Sequence, residues 1–297
     1  GKVNSPLPHQ VVAANKLLQQ DLTSVRKRPA TGEEIGDPKP LDKRKASLLA
    51  IHDVGTGKTI TGVLVMAGVH RLVQLAKQAG KDVNATKIMI IVPKSVLNFW
   101  YEKVQEWTTL GSKVVVVTEQ KYTETPEGLV RFKNALVVIT TPYVLKAAVR
   151  TSFNMPPKPM SDAEPLDKLM VRKPKLPPIH PLLSLLPFKK GSEPLLDESK
   201  PSPYALTIVD EAHLHTKPKT WTACAIALFT KNSVYKLGLT GTPVKRSPDE
   251  IAYLATILDV RMHKIGTQDG GQLLMHRTGY FGQKHGTIND EHLQKFQ

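Results

Sequence analysis

The sequence holds one cysteine, Cys224, in 297 residues. A lone thiol excludes an internal disulfide framework and a four-cysteine zinc site, and it fits a reducing compartment. Aromatic residues are scarce, at 6%. No unbroken apolar run approaches the roughly 18 residues of a membrane span. The longer ones are short, such as Ile88–Val92 and Val114–Val117. The sequence therefore predicts no membrane partner. An initiating methionine is also missing. The chain opens Gly1-Lys2-Val3 with no secretory signal pattern. It reads as a fragment whose native termini lie beyond it.

What remains has globular proportions. Hydrophobic residues make up 40% and charged residues 23%, which excludes a collagenous or wholly disordered chain. The length suits one large domain or two smaller ones. Lys and Arg number 41 against 26 Asp and Glu, a formal charge of +15. Such an excess points to a polyanion, nucleic acid or an anionic surface, or to a merely solvated basic surface. Small clusters at Arg26-Lys27-Arg28 and Lys43-Arg44-Lys45 form no basic tail. Charge alone leaves these readings open.

The periodicity predicts a helix over residues 6–25 and a loop over 27–45. Short apolar runs at Ser47–Ile51, Lys87–Val92, Lys113–Thr118, Ala135–Thr140, Tyr204–Val209 and Val234–Leu239 read as buried strands. Helices are expected from the glycine loop to about Ala79, over Ser95–Trp107 and near 219–230. Twelve of the 23 prolines fall in 151–203. Proline removes backbone donors and blocks helix and sheet, so this segment reads as an extended or partly disordered insertion. Leu182, Leu183, Leu185, Leu186 and Phe188 form an apolar island within it, positioned to dock on the domain. Strands alternating with helices predict an α/β fold, a parallel sheet covered on both faces. Functional loops then belong at the carboxyl ends of the strands.

Two motifs follow such strands directly. The first is His52-Asp53-Val54-Gly55-Thr56-Gly57-Lys58-Thr59. Glycines let backbone N–H groups face oxygen anions, and the next helix brings its positive end to the same place. Lys58 would reach the β/γ-phosphates and Thr59 would ligate Mg²⁺. His52 stands where the usual pattern has its first glycine. Gly62 and Gly68 read as close-packing positions in the following helix. The second motif is Asp210-Glu211-Ala212-His213. Asp210 would hold Mg²⁺ through its water shell, and Glu211 would orient and deprotonate a water. His213 would link this site to its neighbours. A glycine-rich turn and a chance Asp-Glu pair are the competing readings. Trp100 and Trp107 read as core residues, and Cys224 as an inert packed thiol.

The ordered set extends further. Pro8-His9-Gln10 precedes the glycine loop. Ile91-Val92-Pro93-Lys94-Ser95-Val96-Leu97, with Trp100 and Trp107, and Ile139-Thr140-Thr141 follow it. Leu239-Thr240-Gly241-Thr242-Pro243 closes the series. This resembles the first RecA-like lobe of superfamily 2 ATPases, most closely the Swi2/Snf2 type of DNA translocase. Viral transcription-termination nucleoside triphosphatases are similar relatives of the same type. The resemblance implies a P-loop NTPase lobe that binds ATP and Mg²⁺. It implies that Gln10 reads the adenine edge and that Asp53, Gly55, Thr56, Gly57, Lys58 and Thr59 form the nucleotide site. Lys58, Asp210 and Glu211 become the catalytic candidates, with Thr59 and Asp210 on the metal. It gives His213, Thr240, Gly241 and Thr242 the coupling role. Lys94, Ser95, Thr140 and Thr141 become candidate contacts to the phosphate backbone of double-stranded DNA. Thr140 and Thr141 also fit a plain strand-end turn before Pro142.

The resemblance implies one lobe over 1–297, with insertions at about 27–45 and 151–203. The second RecA-like lobe, which would supply an arginine finger, is expected outside this chain, and the fragment alone is expected to turn over little ATP. Two other readings stay open: a viral or RNA-directed transcription ATPase of the same fold, and an ATP-regulated scaffold whose 151–203 segment recruits protein partners. A nuclear location fits the resemblance, with a viral or host-cytoplasmic setting as the alternative.

Overall fold

The computed structural model describes residues 5–23, 46–53, 55–119, 125–152, 180–187, 200, 203–216, 220–242 and 249–259. The loop expected at 27–45 and most of the 151–203 insertion lie outside these residues, as do Val54 and Pro243.

Six strands form one sheet in the order β1-β6-β5-β2-β4-β3. They are β1 (Ala46–Ile51), β2 (Lys87–Ile91), β3 (Val114–Val117), β4 (Val137–Thr140), β5 (Tyr204–Val209) and β6 (Ser233–Thr240). Every pairing is parallel. Parallel strands need covering elements between them, and these lie on both faces. Side chains alternate accordingly. Ile88 and Ile90 enter one core with Leu206, Ile208, Leu237 and Leu239. Met89 and Ile91 enter the other with Val138 and Val209.

The first face carries α1 (Pro8–Thr23), α2 (Lys58–Gln78) and α3 (Leu97–Trp107). Leu17, Val65, Met66, Val69 and Trp100 are buried there. The second face carries α4 (Pro126–Asn134), α5 (Pro142–Ser152), the one-turn α6 (Pro181–Ser184), α7 (Trp221–Lys231) and α8 (Asp249–Ile257). Phe132, Leu145, Leu182, Ile226, Phe229 and Leu254 fill that core. Helix α2 is the helix that the sequence places between the glycine loop and about Ala79. By length and composition it is apolar enough to cross a membrane. It packs instead against α1, α3, β5 and β6, as the core helix of the lobe.

Sequence periodicity misses α4, α5 and α8. Each of the first two starts at a proline in its opening turn, where the absent N–H costs nothing. Thr125 Oγ1 caps α4 by accepting from Gly128 N–H at 3.1 Å, and Thr141 Oγ1 accepts from Val144 N–H at 3.3 Å in α5. The same rule limits what proline density forbids at 151–203. Pro181 opens α6, and His180 Nδ1 caps it by accepting from Leu182 N–H at 3.2 Å. Leu182 and Leu183 are then fully buried, with Leu186 beside them, so these leucines of the apolar island dock on the second face, while Phe188 lies outside the described residues.

Registers align the strand ends. Ile51 pairs with Thr240, and Ile91 pairs with both Thr140 and Val209. Residues 52–53, 55–59, 94–95, 141, 210–213 and 241–242 therefore gather along one edge of the sheet.

Candidate nucleotide site

Strand β1 ends and the chain turns through Gly55 and Gly57, at φ +86° and +85°. That left-handed backbone favours glycine, because a Cβ would strain it. A Cβ on Gly57 would also strike the Gln10 amide. Gln10 is buried under this loop. Its Oε1 accepts from Leu7 N–H at 2.9 Å, and its Nε2 donates to the carbonyl oxygens of Thr56 at 3.1 Å and Gly57 at 3.4 Å. His9 Nε2 lies 3.0 Å from the Thr56 carbonyl oxygen, and its ring meets His52 edge-on at 5.4 Å. In this state, the amide expected on adenine holds the loop itself. Lys58 Nζ donates to the His52 carbonyl at 3.3 Å and lies 3.5 Å from that of Asp53. These long contacts to neutral oxygens leave the ammonium ready for a stronger anionic partner. Asp53 and Gly55 are exposed, while Thr59 is half-buried in the first turn of α2.

Strand β5 delivers Asp210 into a buried position. Desolvation pushes its carboxyl above the usual range, and hydrogen bonds from Trp100 and the Glu211 backbone oppose that rise. Trp100 Nε1–H donates to Oδ2 at 2.7 Å, and Glu211 N–H to Oδ1 at 2.9 Å. Glu211 sits at φ +47°, an uncommon conformation for a non-glycine residue. It is half-buried, and its Oε2 lies 3.2 Å from His213 Nδ1.

Between these two strands runs β6, whose last residue joins them. Thr240 O accepts from His52 N–H at 3.0 Å. Thr240 Oγ1 lies 2.8 Å from His213 Nδ1 and accepts from Thr242 N–H at 3.1 Å. A carboxylate can only accept, so a proton on Nδ1 suits both Glu211 and Thr240. Thr240 thus touches the start of the glycine loop, the acidic motif and Thr242, with Gly241 between.

The sequence matches the model of the SNF2-related domain over residues 39–266. The chain belongs to the SNF2-related domain family. Its parallel sheet with helices on both faces is a P-loop, RecA-like lobe. No curated protein matches the sequence. Among solved structures it is similar to the Sulfolobus solfataricus SWI2/SNF2 ATPase core in complex with dsDNA. That match has 16% identity and a TM-score of 0.49, and covers 87% of this chain and 36% of that one. The SWI2/SNF2 ATPase core domain of the same organism matches at 15% identity and a TM-score of 0.48, over 92% and 38% of the two chains. The Pyrococcus furiosus Hef helicase domain matches at 15% and 0.43, over 74% and 35%. This SNF2-related chain spans between 35% and 38% of those structures.

SNF2-related domains are ATPase domains, and the loop has the features of a phosphate cradle. The oxygen set also suits a magnesium ion. Thr59 and Asp210 offer one hydroxyl and one carboxylate, both hard donors. Asp210 keeps lone pairs beyond its two hydrogen bonds, enough to accept from metal-bound water. Among the described residues, no three His, Cys, Asp or Glu converge on a metal.

The candidate nucleic-acid residues divide. Lys94 and Ser95 are exposed in the short 3₁₀ turn after β2. Thr140 is buried, and its hydroxyl donates to the Val117 carbonyl at 3.0 Å. Thr141 is buried as the cap of α5. Both threonines do the work of a strand end and a helix start. Sequence reasoning missed two contacts in the site. Trp100 is fully buried as expected, yet its N–H reaches Asp210. His9 touches the phosphate loop, and only its adjacency to Gln10 could have pointed to it.

Proposed function

We propose that this chain is the amino-terminal ATP-binding lobe of a Snf2-type, ATP-dependent translocase acting on double-stranded DNA. The observation that carries the reading is Thr240, bonded at once to the phosphate loop and to the acidic motif at the ends of adjacent strands. Lys58 leaves the His52 and Asp53 carbonyls for the β/γ-phosphates. Thr59 and Asp210 hold Mg²⁺, which when bound offsets the charge of the phosphate oxygens. Glu211 orients the attacking water and takes its proton. His213 holds Glu211 and reports its position to Thr240, whose neighbours Gly241 and Thr242 follow the change. Lys94 and Ser95 contact a phosphate backbone without reading bases, and the +15 charge supports that contact. Gln10 exchanges the loop carbonyls for the adenine edge when nucleotide enters. A second lobe supplies the arginine finger, worth roughly 10³–10⁵ in rate in related phosphoryl transfer.

The test is ATP hydrolysis by the full chain with duplex DNA, single-stranded DNA and RNA. Stimulation by duplex DNA, lost in Lys58→Ala, supports the reading. Stimulation by RNA alone would move the protein to the transcription ATPases. Wild-type turnover in Lys58→Ala would remove the phosphate-loop assignment.

A further inference from the structure

Trp100 lies outside the motifs that carry the chemistry, 110 positions from Asp210. Its indole is nevertheless fully buried between the two halves of the nucleotide site. On one side Nε1–H donates to Asp210 Oδ2 at 2.7 Å. On the other, the ring lies against Gly62 of α2, where a Cβ would fall 2.5 Å from Cη2. Gly62 is one helical turn beyond Lys58 and Thr59. The same Cβ would fall 3.3 Å from Leu239 Cδ1, beside Thr240. One rigid, flat side chain thus spans from the helix that presents Thr59 to the carboxylate on β5.

Geometry makes this more than packing. A carboxylate at a strand end can rotate, and its direction decides which lone pairs face the metal's water shell. Asp210 has both oxygens tied: Oδ1 to the Glu211 N–H and Oδ2 to the indole. The backbone donor alone leaves one oxygen free to turn. The indole removes that freedom, and α3 holds it in place. Gly62 admits the ring, because any larger residue would push it away from α2.

We propose that Trp100 is a positioning residue for the metal–nucleotide site, fixing the direction of the Asp210 carboxylate and its spacing from Thr59. This rests on the reading of Asp210 and Thr59 as metal-holding residues. Outer-shell partners of this kind change metal affinity by roughly 10–100-fold when removed.

The test uses the full chain and a fluorescent adenine nucleotide, titrated with Mg²⁺ and with EDTA. Trp100→Phe keeps an aromatic ring and loses the donor. Its affinity with Mg²⁺ should fall by about tenfold, with the EDTA affinity within about twofold of wild type. In the Asp210→Asn background the same substitution should add no further Mg²⁺-dependent loss. Benzothienylalanine at 100 repeats the test where Phe disturbs folding, since it has the indole shape with sulfur in place of N–H. A readout free of metal is the Trp100 indole proton in the chain without nucleotide. It should exchange slowly with solvent and shift in Asp210→Asn. Equal losses with Mg²⁺ and EDTA, or no loss in either variant, overturn the proposal and leave the nucleotide site standing. A wild-type chain whose nucleotide affinity ignores Mg²⁺ overturns the metal-site reading as well.

Discussion

His213 and His215 lie two residues apart in one 3₁₀ turn and meet different surroundings. His213 finds Thr240 and Glu211. His215 Nε2 is buried with no hydrogen-bond partner, and burial, with His213 nearby, lowers its pKa to about 4. The folded state therefore refuses a proton that the unfolded chain accepts below its ordinary value of 6.5. Stability is intact above pH 6.5 and declines as pH falls towards 4. His215→Leu removes that proton uptake, so its urea midpoint should drop less than the wild type's between pH 7 and pH 5. Parallel declines would show that other groups set the acid limb. Gly57 gives a second residue-scale prediction. Gly57→Ala meets the left-handed backbone and the Gln10 amide together, and should cost about 1–2 kcal/mol or more in denaturant unfolding. The loop and acidic residues were legible because their chemistry is carried by neighbours in sequence. The Trp100–Asp210 bond was not, because a contact between distant positions depends on how α3 is seated against the sheet.

Short elements carry more of the fold than their length suggests. The one turn of α6 places Leu182, Leu183 and Leu186 in the second core. Leu183→Ala should cost about 2–5 kcal/mol, the range for a buried leucine, read as a lower thermal midpoint. A loss under 0.5 kcal/mol would mean that this segment only rests on the surface. Strand β6 offers a second case. Lys236 is fully buried within it, and Nζ meets Asp259 Oδ2 at 2.6 Å just beyond α8. Asp259 has φ +53°, a backbone that asparagine also tolerates. Asp259→Asn thus changes charge and little else. It should cost about 2 kcal/mol, below the usual range for breaking a buried pair, because Asp259 is one-third exposed. Strands were readable as apolar runs, since both faces are covered. Helices α4, α5 and α8 were not. They are short, and a threonine cap followed by proline at α4 and α5 looks like a turn until the fold supplies a face to bury.

The described residues build a single sheet, with the candidate site along the carboxyl ends of its strands. That arrangement follows from parallel registers, which bring the strand ends to one level. Strand order was not readable from the sequence, because three of the five neighbouring pairs, β1–β6, β5–β2 and β2–β4, are not consecutive in the chain. That order matters to function: β6 separates the phosphate loop from the acidic motif, and so Thr240 can touch both. Thr240→Val keeps the volume and loses the hydroxyl. It should leave nucleotide affinity within a few-fold and reduce DNA-stimulated hydrolysis by about tenfold, inside the roughly 0.5–2 kcal/mol by which residues between two sites change their coupling. Full stimulation by DNA in that variant would show that coupling runs elsewhere.

Helix α1 has a practical consequence for anyone who trims this protein. It adds no strand to the sheet, so a version starting at Ala46 looks like a sound minimal lobe, yet α1 packs against both β1 and α2. Such a version would lose Gln10 and His9, the side chains bonded to the Thr56 carbonyl. It would also expose the face of α2 on which Leu18 covers Gly68. The expected product folds, aggregates more readily and scores as a poor nucleotide binder. That result would be mistaken for evidence against the site, when the missing part is the brace beneath it.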